Sequence, residues 1–172
     1  MEFNDLIRTR ISVRNYDPDR PVPKETLERI LEAGRLAPSA VNYQPWKFVV
    51  VSSPAMLEKV RACYGRDWFK EAPHVLIVIG FMDQAWVRNF DGHKSIETDM
   101  AIAMTHMILA AENEGVSTCW IENYNPAMLR EALNLNVNQV IFGITPLGFP
   151  KEGYVKNLKK TRKPIKEIIE II

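Results

Sequence analysis

The sequence predicts a single domain, residues 1–172, of alternating helices and strands, and three observations carry that expectation. The chain is long enough to bury a core without disulfides or a metal as staples. Apolar runs of strand length, "KFVVVSS", "HVLIVIGF", "VSTCWI" and "VIFGITPLGF", recur along it. Between them lie segments whose apolar residues repeat at the spacing of one helical face.

In order, residues 2–9 carry Phe3, Leu6 and Ile7 at helical spacing, and the proline-punctuated "NYDPDRPVP" after them must be loop. From Lys24, the residues Leu27, Ile30, Leu31 and Gly34 share a face, and this helix stops before Pro38 because a residue preceding proline is pushed out of helical conformation. "KFVVVSS" reads as a buried strand, after which Ser53 and Pro54 supply an N-cap and a first-turn proline for a helix to about Tyr64. "HVLIVIGF" is the second strand, and residues 82–94 are irregular. Ser95 to Glu114 is the longest helical pattern, with Gly115 as its C-terminal cap. "VSTCWI" is a third strand, Asn125 and Pro126 open a short helix through Leu133, and "VIFGITPLGF" is a fourth strand. The basic tail from Lys151 ends in Ile165, Ile168, Ile169 and Ile172, again one helical face. Four exposed isoleucines are a liability, so the stripe must dock, on this chain's own core or on a second subunit.

Composition removes several function classes. The 22 basic residues nearly balance 21 acidic ones, for a formal net charge of +1, which argues against a general polyanion binder and against "KNLKKTRK" as a nucleic-acid arm. Cys63 and Cys119 form no CxxC pair, so a reducing cytoplasm is expected rather than a disulfide framework. "MEFNDLIRTR" lacks the basic start of a signal peptide, and the apolar runs fall short of the ~20 residues that cross a bilayer. The glycines make neither a G-x-G-x-x-G turn nor a Walker loop, no G-x-S-x-G elbow occurs, and His74, His93 and His106 are scattered without metal-ligand spacing. No metal is expected, and an enzyme with this inventory takes its reactive group from a bound cofactor.

Two clusters remain. "RTRISVRNYD" gathers Arg8, Arg10 and Arg14 around Ser12; guanidinium forks match phosphate oxygens, and in an extended segment Arg10, Ser12 and Arg14 point to one side. The competing reading is a set of solvated arginines pairing with Asp5, Asp17 or Asp19. "APSAVNYQPWKF" ends a helix just before Asn42 and Gln44, exposing polar groups suited to the edge of a heterocycle, or else makes a turn in which Asn42 satisfies local backbone and Trp46 fills core.

Taken together, "RTRISVRNYD", "RLAPSAVNYQPWKFVVV", "KEAPHVLIVI", "ILAAENEGVSTCWIENYNPAMLREAL", "ITPLGFP" and the terminal "KKTRKPIKEII" resemble the FMN-dependent nitroreductase family, also called the nitro/flavin reductase superfamily, over nearly the whole chain. The resemblance implies an α+β fold with a central mixed β-sheet flanked by helices, and a homodimer built around helix 95–114 with its terminal segments exchanged. It implies that Arg10 and Ser12, with Lys160 and Arg162 from the tail, bind the FMN phosphate. Arg14 would lie by the flavin N1 and O2 edge and favour the anionic reduced state. Pro38, Ser39, Ala40 and Asn42 would reach the flavin from the partner subunit. Trp120, Ile121, Glu122 and Asn123 match the segment that touches the flavin near N5, Glu122 through its amide, although many relatives carry glycine where Asn123 stands.

The implied reaction is ping-pong: NAD(P)H passes hydride to flavin N5, leaves, and a nitroaromatic, quinone or similar planar acceptor takes the electrons. Trp68, Phe69, Trp86 and Phe90 are expected to wall the acceptor pocket. The alternatives are a specialised member, a dehalogenase or flavin-fragmenting enzyme, and a non-catalytic flavin-binding or regulatory module.

Overall fold

The run His74–Phe81 reads as continuously apolar because it forms a strand covered by helices on both faces. A computed structural model describes residues 1–172. In chain order the elements are α1 (Phe3–Thr9), α2 (Lys24–Arg35), a 3-10 turn at Ala40–Asn42, β1 (Trp46–Val51), α3 (Pro54–Arg61), α4 (Asp67–Lys70), β2 (His74–Phe81), α5 (Ile96–Asn113), β3 (Ser117–Thr118), α6 (Pro126–Leu133), β4 (Gln139–Gly148) and a 3-10 turn at Ile165–Glu167. The class is α+β. The four strands form one antiparallel sheet in the order β1-β2-β4-β3, with Trp46 opposite Gly80 and His74 opposite Leu147. The expected mixed character is confined to one edge, where a parallel bridge joins Ser12 to Thr118 and the Val13 amide donates to the Thr118 carbonyl at 2.9 Å.

Side chains alternate across β2. Leu76 and Val78 pack with Ile30, Met100, Met104 and Met107 beneath α2 and α5. Val75, Ile77 and Ile79 pack with Leu57, Val60, Phe69 and Leu129 beneath α3, α4 and α6. Each fully buried side chain of this kind contributes about 1.5–3 kcal/mol, so truncating Leu76 or Met104 to alanine costs about 2–5 kcal/mol once the cavity is included.

Helix α5 runs back along the sheet and separates two ends of the molecule. At the Gly80 end of β2 lie the start of α5, the 40–44 loop and the 82–94 segment; Phe81 donates to Pro45 O at 2.9 Å and Ser95 to Trp86 O at 3.0 Å. At the His74 end lie the close of α5, β3, Ser12 and α4.

Local chemistry accounts for most boundaries. Asn125 caps α6 by accepting from the Ala127 and Met128 amides at 3.1 and 3.2 Å, with Pro126 in the first turn. Gly115 follows α5 with φ +73°, a conformation that strains any residue with a Cβ. Ser53 occupies the expected cap position of α3, but its side chain makes no capping bond. The expected third strand shrinks to Ser117–Thr118 plus a bridge at Ile121, because the Cys119 amide turns to Thr145 Oγ1 at 3.0 Å and interrupts the ladder. The terminal isoleucines form no regular helix beyond the 3-10 turn at Ile165–Glu167, and Ile165, Ile168, Ile169 and Ile172 are all exposed. The stripe therefore leaves this chain's own core uncovered.

Candidate active site

Beyond α1 the chain is extended, and the alternation expected of "RISVR" appears: Val13 is buried while Ser12 and Arg14 face outward. The bridge to Thr118 pins Ser12 at the sheet edge, and Tyr16 anchors the turn by donating from its hydroxyl to Val13 O at 2.8 Å. Asp5, Asp17 and Asp19 form no ion pair with Arg8, Arg10 or Arg14, so the competing reading of surface pairs is not realised.

The tail returns to this point. Lys160 Nζ donates to the Ile7 carbonyl at 3.2 Å. Partial burial, followed by the charges of Arg10 and Arg162, holds the Lys160 ammonium below lysine's ordinary pKa. Three cations from opposite ends of the sequence thus share one neighbourhood. Like charges gathered in this way repel, and a dianion with several acceptor oxygens relieves that repulsion.

Cys119, buried behind the same edge, has its thiol pushed up by burial, against the lowering pull of Arg14, of a Ser12 hydrogen bond and of Arg10. It stays protonated and inert at neutral pH. Sequence reasoning did not connect Cys119 with this edge; its place in "STCWI" next to the bridging Thr118 was the available signal.

Arg14 also faces a cavity of about 560 Å³ lined with Tyr64, Arg66, Asp67 and Trp68. Its guanidinium carbon lies 5.9 Å from the Trp68 ring centre, and Trp68 is braced by Tyr16 at 6.3 Å and Tyr64 at 5.7 Å between ring centres. Phe69, expected beside Trp68 in the pocket wall, is fully buried in the core beneath α4, because adjacent residues on a helix point to different sides. Trp86 and Phe90 lie at the opposite end of the sheet from Trp68; Trp86 is half-buried and Phe90 is 98% exposed at a loop tip. In one chain the four aromatics do not form one wall.

The segment after β3 leads from this edge across the sheet. Trp120 is half-buried against Phe142, and Glu122 and Asn123 are exposed. Glu122's amide makes no hydrogen bond within the chain, as the expected role requires. Ile121 differs: its side chain is core, and its amide and carbonyl are both spent on Ile144, at 2.9 and 3.0 Å. Nothing on Ile121 is left to meet a ligand.

Pro38, Ser39, Ala40 and Asn42 occupy the other end. Val41, Asn42 and Gln44 have φ of 46°, 60° and 50°, and Val41 is β-branched, so the backbone is strained and must be held. Ser39 Oγ accepts from the Gln44 amide at 3.0 Å, and Asp99 Oδ1 accepts from the Ala40 amide at 2.9 Å. Asp99, 2% exposed and bonded also to Ser95 Oγ at 2.7 Å, anchors this loop and is a residue that sequence reasoning missed. Glu97 and Asp99 both stand in the first turn of α5, and only the fold separates the buried carboxylate from the exposed one. Along α5 from Asp99 to Glu112, which lies beside the tail cations, the rise is about 20 Å. One chain therefore does not bring the 38–42 loop to Arg10, Lys160 and Arg162.

The Nitroreductase family model matches residues 7–63 and 56–149. This chain belongs to the nitroreductase family. The solved structure of a nitroreductase family protein from Clostridium difficile 630 superposes on it with a TM-score of 0.91 at 32% identity, covering 99% of this chain and 98% of that one. A protein of Methanothermobacter thermautotrophicus, provisionally named NADH dehydrogenase/NAD(P)H nitroreductase, is 32% identical over 164 residues, 89% of this chain and 80% of its own length. Iodotyrosine deiodinase 1 of Sus scrofa is 29% identical over 201 residues, 98% of this chain and 68% of its own. No helix of this nitroreductase-family chain is long and apolar enough to cross a membrane.

Proposed function

We propose that residues 1–172 form one nitroreductase-like domain acting as an FMN-dependent NAD(P)H oxidoreductase of the cytoplasm, reducing planar acceptors such as nitroaromatics and quinones. The observation that carries this reading is the meeting of Arg10, Lys160 and Arg162 beside Ser12 and Arg14. The residues fit the cofactor: clustered cations with a nearby hydroxyl suit a phosphate, and an arginine over an aromatic wall suits a flat ring that gains negative charge.

When bound, FMN supplies two-electron chemistry between a reduced nicotinamide and an acceptor. Arg10, Lys160 and Arg162 hold the phosphate with charge-assisted donors, and Ser12 adds its hydroxyl. Arg14 keeps a fixed cation where reduction builds negative charge. The Glu122 amide offers an unpaired donor, joined by Trp120 and Asn123 from the same segment. Trp68 and Tyr64 give the open, largely polar Arg14 cavity its aromatic wall.

The active form is a homodimer. The face of helix α5 turned away from the sheet is uncovered, and beside it runs an open groove of about 570 Å³ in which Ala101, Ile102 and Phe142 lie among Glu97, Thr98, Thr105 and His106. A second copy packed antiparallel on this helix brings its own Pro38–Asn42 loop, Trp86 and Phe90 to the Arg10 end and gives the terminal isoleucines a surface. The reading is tested by steady-state kinetics with NADH or NADPH against a nitroaromatic or a quinone. Parallel double-reciprocal lines are expected, and intersecting lines or no turnover contradict it.

The match to iodotyrosine deiodinase 1 favours reductive dehalogenation as a second reading. Halide release from a halogenated phenol, outpacing reduction of the nitroaromatic, is the outcome that selects it.

A further inference from the structure

Glu112 sits where a carboxylate is disfavoured. It lies in the last turn of α5, at the negative end of the helix dipole, and only 5% of it is exposed. A buried carboxylate keeps its charge only when paired and hydrogen-bonded. Its partner is Lys156, whose Nζ donates to both carboxylate oxygens, at 2.6 and 2.8 Å.

The position of Lys156 gives this pair its meaning. After β4 the tail is held first at Lys151, whose amide donates to Asn15 Oδ1 and whose ammonium donates to Glu71, both at 2.8 Å. That contact is solvent-exposed, as are the flanking Val155 and Leu158. The only buried carboxylate the tail meets is Glu112, and four residues beyond Lys156 comes Lys160, reaching the Ile7 carbonyl beside Arg10. Glu112 also lies close enough to Lys160 for its charge to act there, against the repulsion from Arg10 and Arg162.

We propose that the ion pair between buried Glu112 and half-buried Lys156 is a clasp that positions the tail cations Lys160 and Arg162 on the flavin phosphate, making Glu112 a positioning residue for cofactor selection. The inference rests on the FMN reading above. The clasp ties the close of α5 to the tail, so the phosphate site assembles only when the tail lies across the helix end.

The test compares FMN with riboflavin, which lacks the phosphate, by quenching of flavin fluorescence in wild type, Glu112→Gln and the double variant Glu112→Gln/Lys156→Gln. The double variant buries no unpaired charge and keeps the experiment open should the single one unfold. Loss of the clasp is expected to weaken FMN about tenfold while riboflavin affinity stays within about twofold, as the loss of charge-assisted phosphate contacts requires. Equal weakening of both flavins, or no change in either, overturns the clasp. Wild-type protein that binds FMN no better than riboflavin contradicts the phosphate site itself, and the clasp falls with it.

Discussion

Asp99 accepts the Ala40 amide at 2.9 Å, joining the first turn of α5 to a loop in which Val41, Asn42 and Gln44 all adopt positive φ. A buried acceptor bonded on both oxygens fixes a backbone that would otherwise relax. Asp99→Ala leaves the Ala40 amide without its partner, and a loss of about 1–3 kcal/mol in urea unfolding is expected, with faster amide exchange at Ala40. Unchanged protection of that amide contradicts the anchoring role.

The cation cluster separates two kinds of arginine. Arg10→Ala or Arg162→Ala is expected to raise the FMN dissociation constant about tenfold or more, the scale of one charge-assisted contact. Arg14→Ala should leave FMN bound while moving the flavin midpoint potential to more negative values, because a cation that favours the reduced state has gone. Undiminished FMN affinity in the first two variants, or an unmoved potential in the third, removes the role assigned to that residue.

Gly143 on β4 has no room for a side chain: a Cβ there would lie 2.6 Å from Trp120 Nε1 and 3.3 Å from its Cδ1. The indole is rigid, so Gly143→Ala must push Trp120 aside, at an expected cost of about 1–3 kcal/mol. Thermal unfolding measures the cost and tryptophan emission reports the displacement. A variant as stable as wild type, with an unshifted emission, contradicts this packing.

His74 gives the fold a pH dependence. Its Nε2 accepts the Val22 amide at 3.0 Å, so the ring proton sits on Nδ1 and donates to Ser52 Oγ at 2.7 Å. Burial pushes its pKa below the ordinary histidine range. Between that depressed value and about 6.5, the ordinary value of the unfolded chain, the unfolded state binds more protons. Stability is therefore full above about pH 6.5, falls as pH drops through it, and levels off below the folded pKa. Urea midpoints should show this fall in wild type and a flatter profile in His74→Gln; identical slopes contradict the assignment.

Strong periodicity and punctuation were legible in the sequence. The strand at His74–Phe81 and the helix at Pro126–Leu133 follow directly from the apolar run and the Asn-Pro start. Short or interrupted elements were not: α4 spans only Asp67–Lys70, too brief for a period, and Cys119 leaves the ladder through a side chain of the neighbouring strand. The terminal isoleucines carry a helical stripe but meet no surface in this chain that would reward forming the helix. In the site, Arg10, Ser12 and Arg14 were visible as charge and spacing, and Lys160 and Arg162 through the family resemblance, whereas nothing in the sequence singled out Asp99 or Glu112. Only the fold reveals that both are buried and that each bonds a segment distant in sequence, Asp99 the Ala40 amide and Glu112 the Lys156 ammonium.

The visible spectrum of the purified protein, recorded before and after anaerobic addition of NADH and then NADPH, tests the central claim most directly. The account predicts a flavin absorbance that persists through gel filtration at the mass of a dimer and is bleached by one or both nucleotides. A colourless monomer that gains no flavin signal when FMN is added, or a bound flavin that neither nucleotide bleaches, contradicts it.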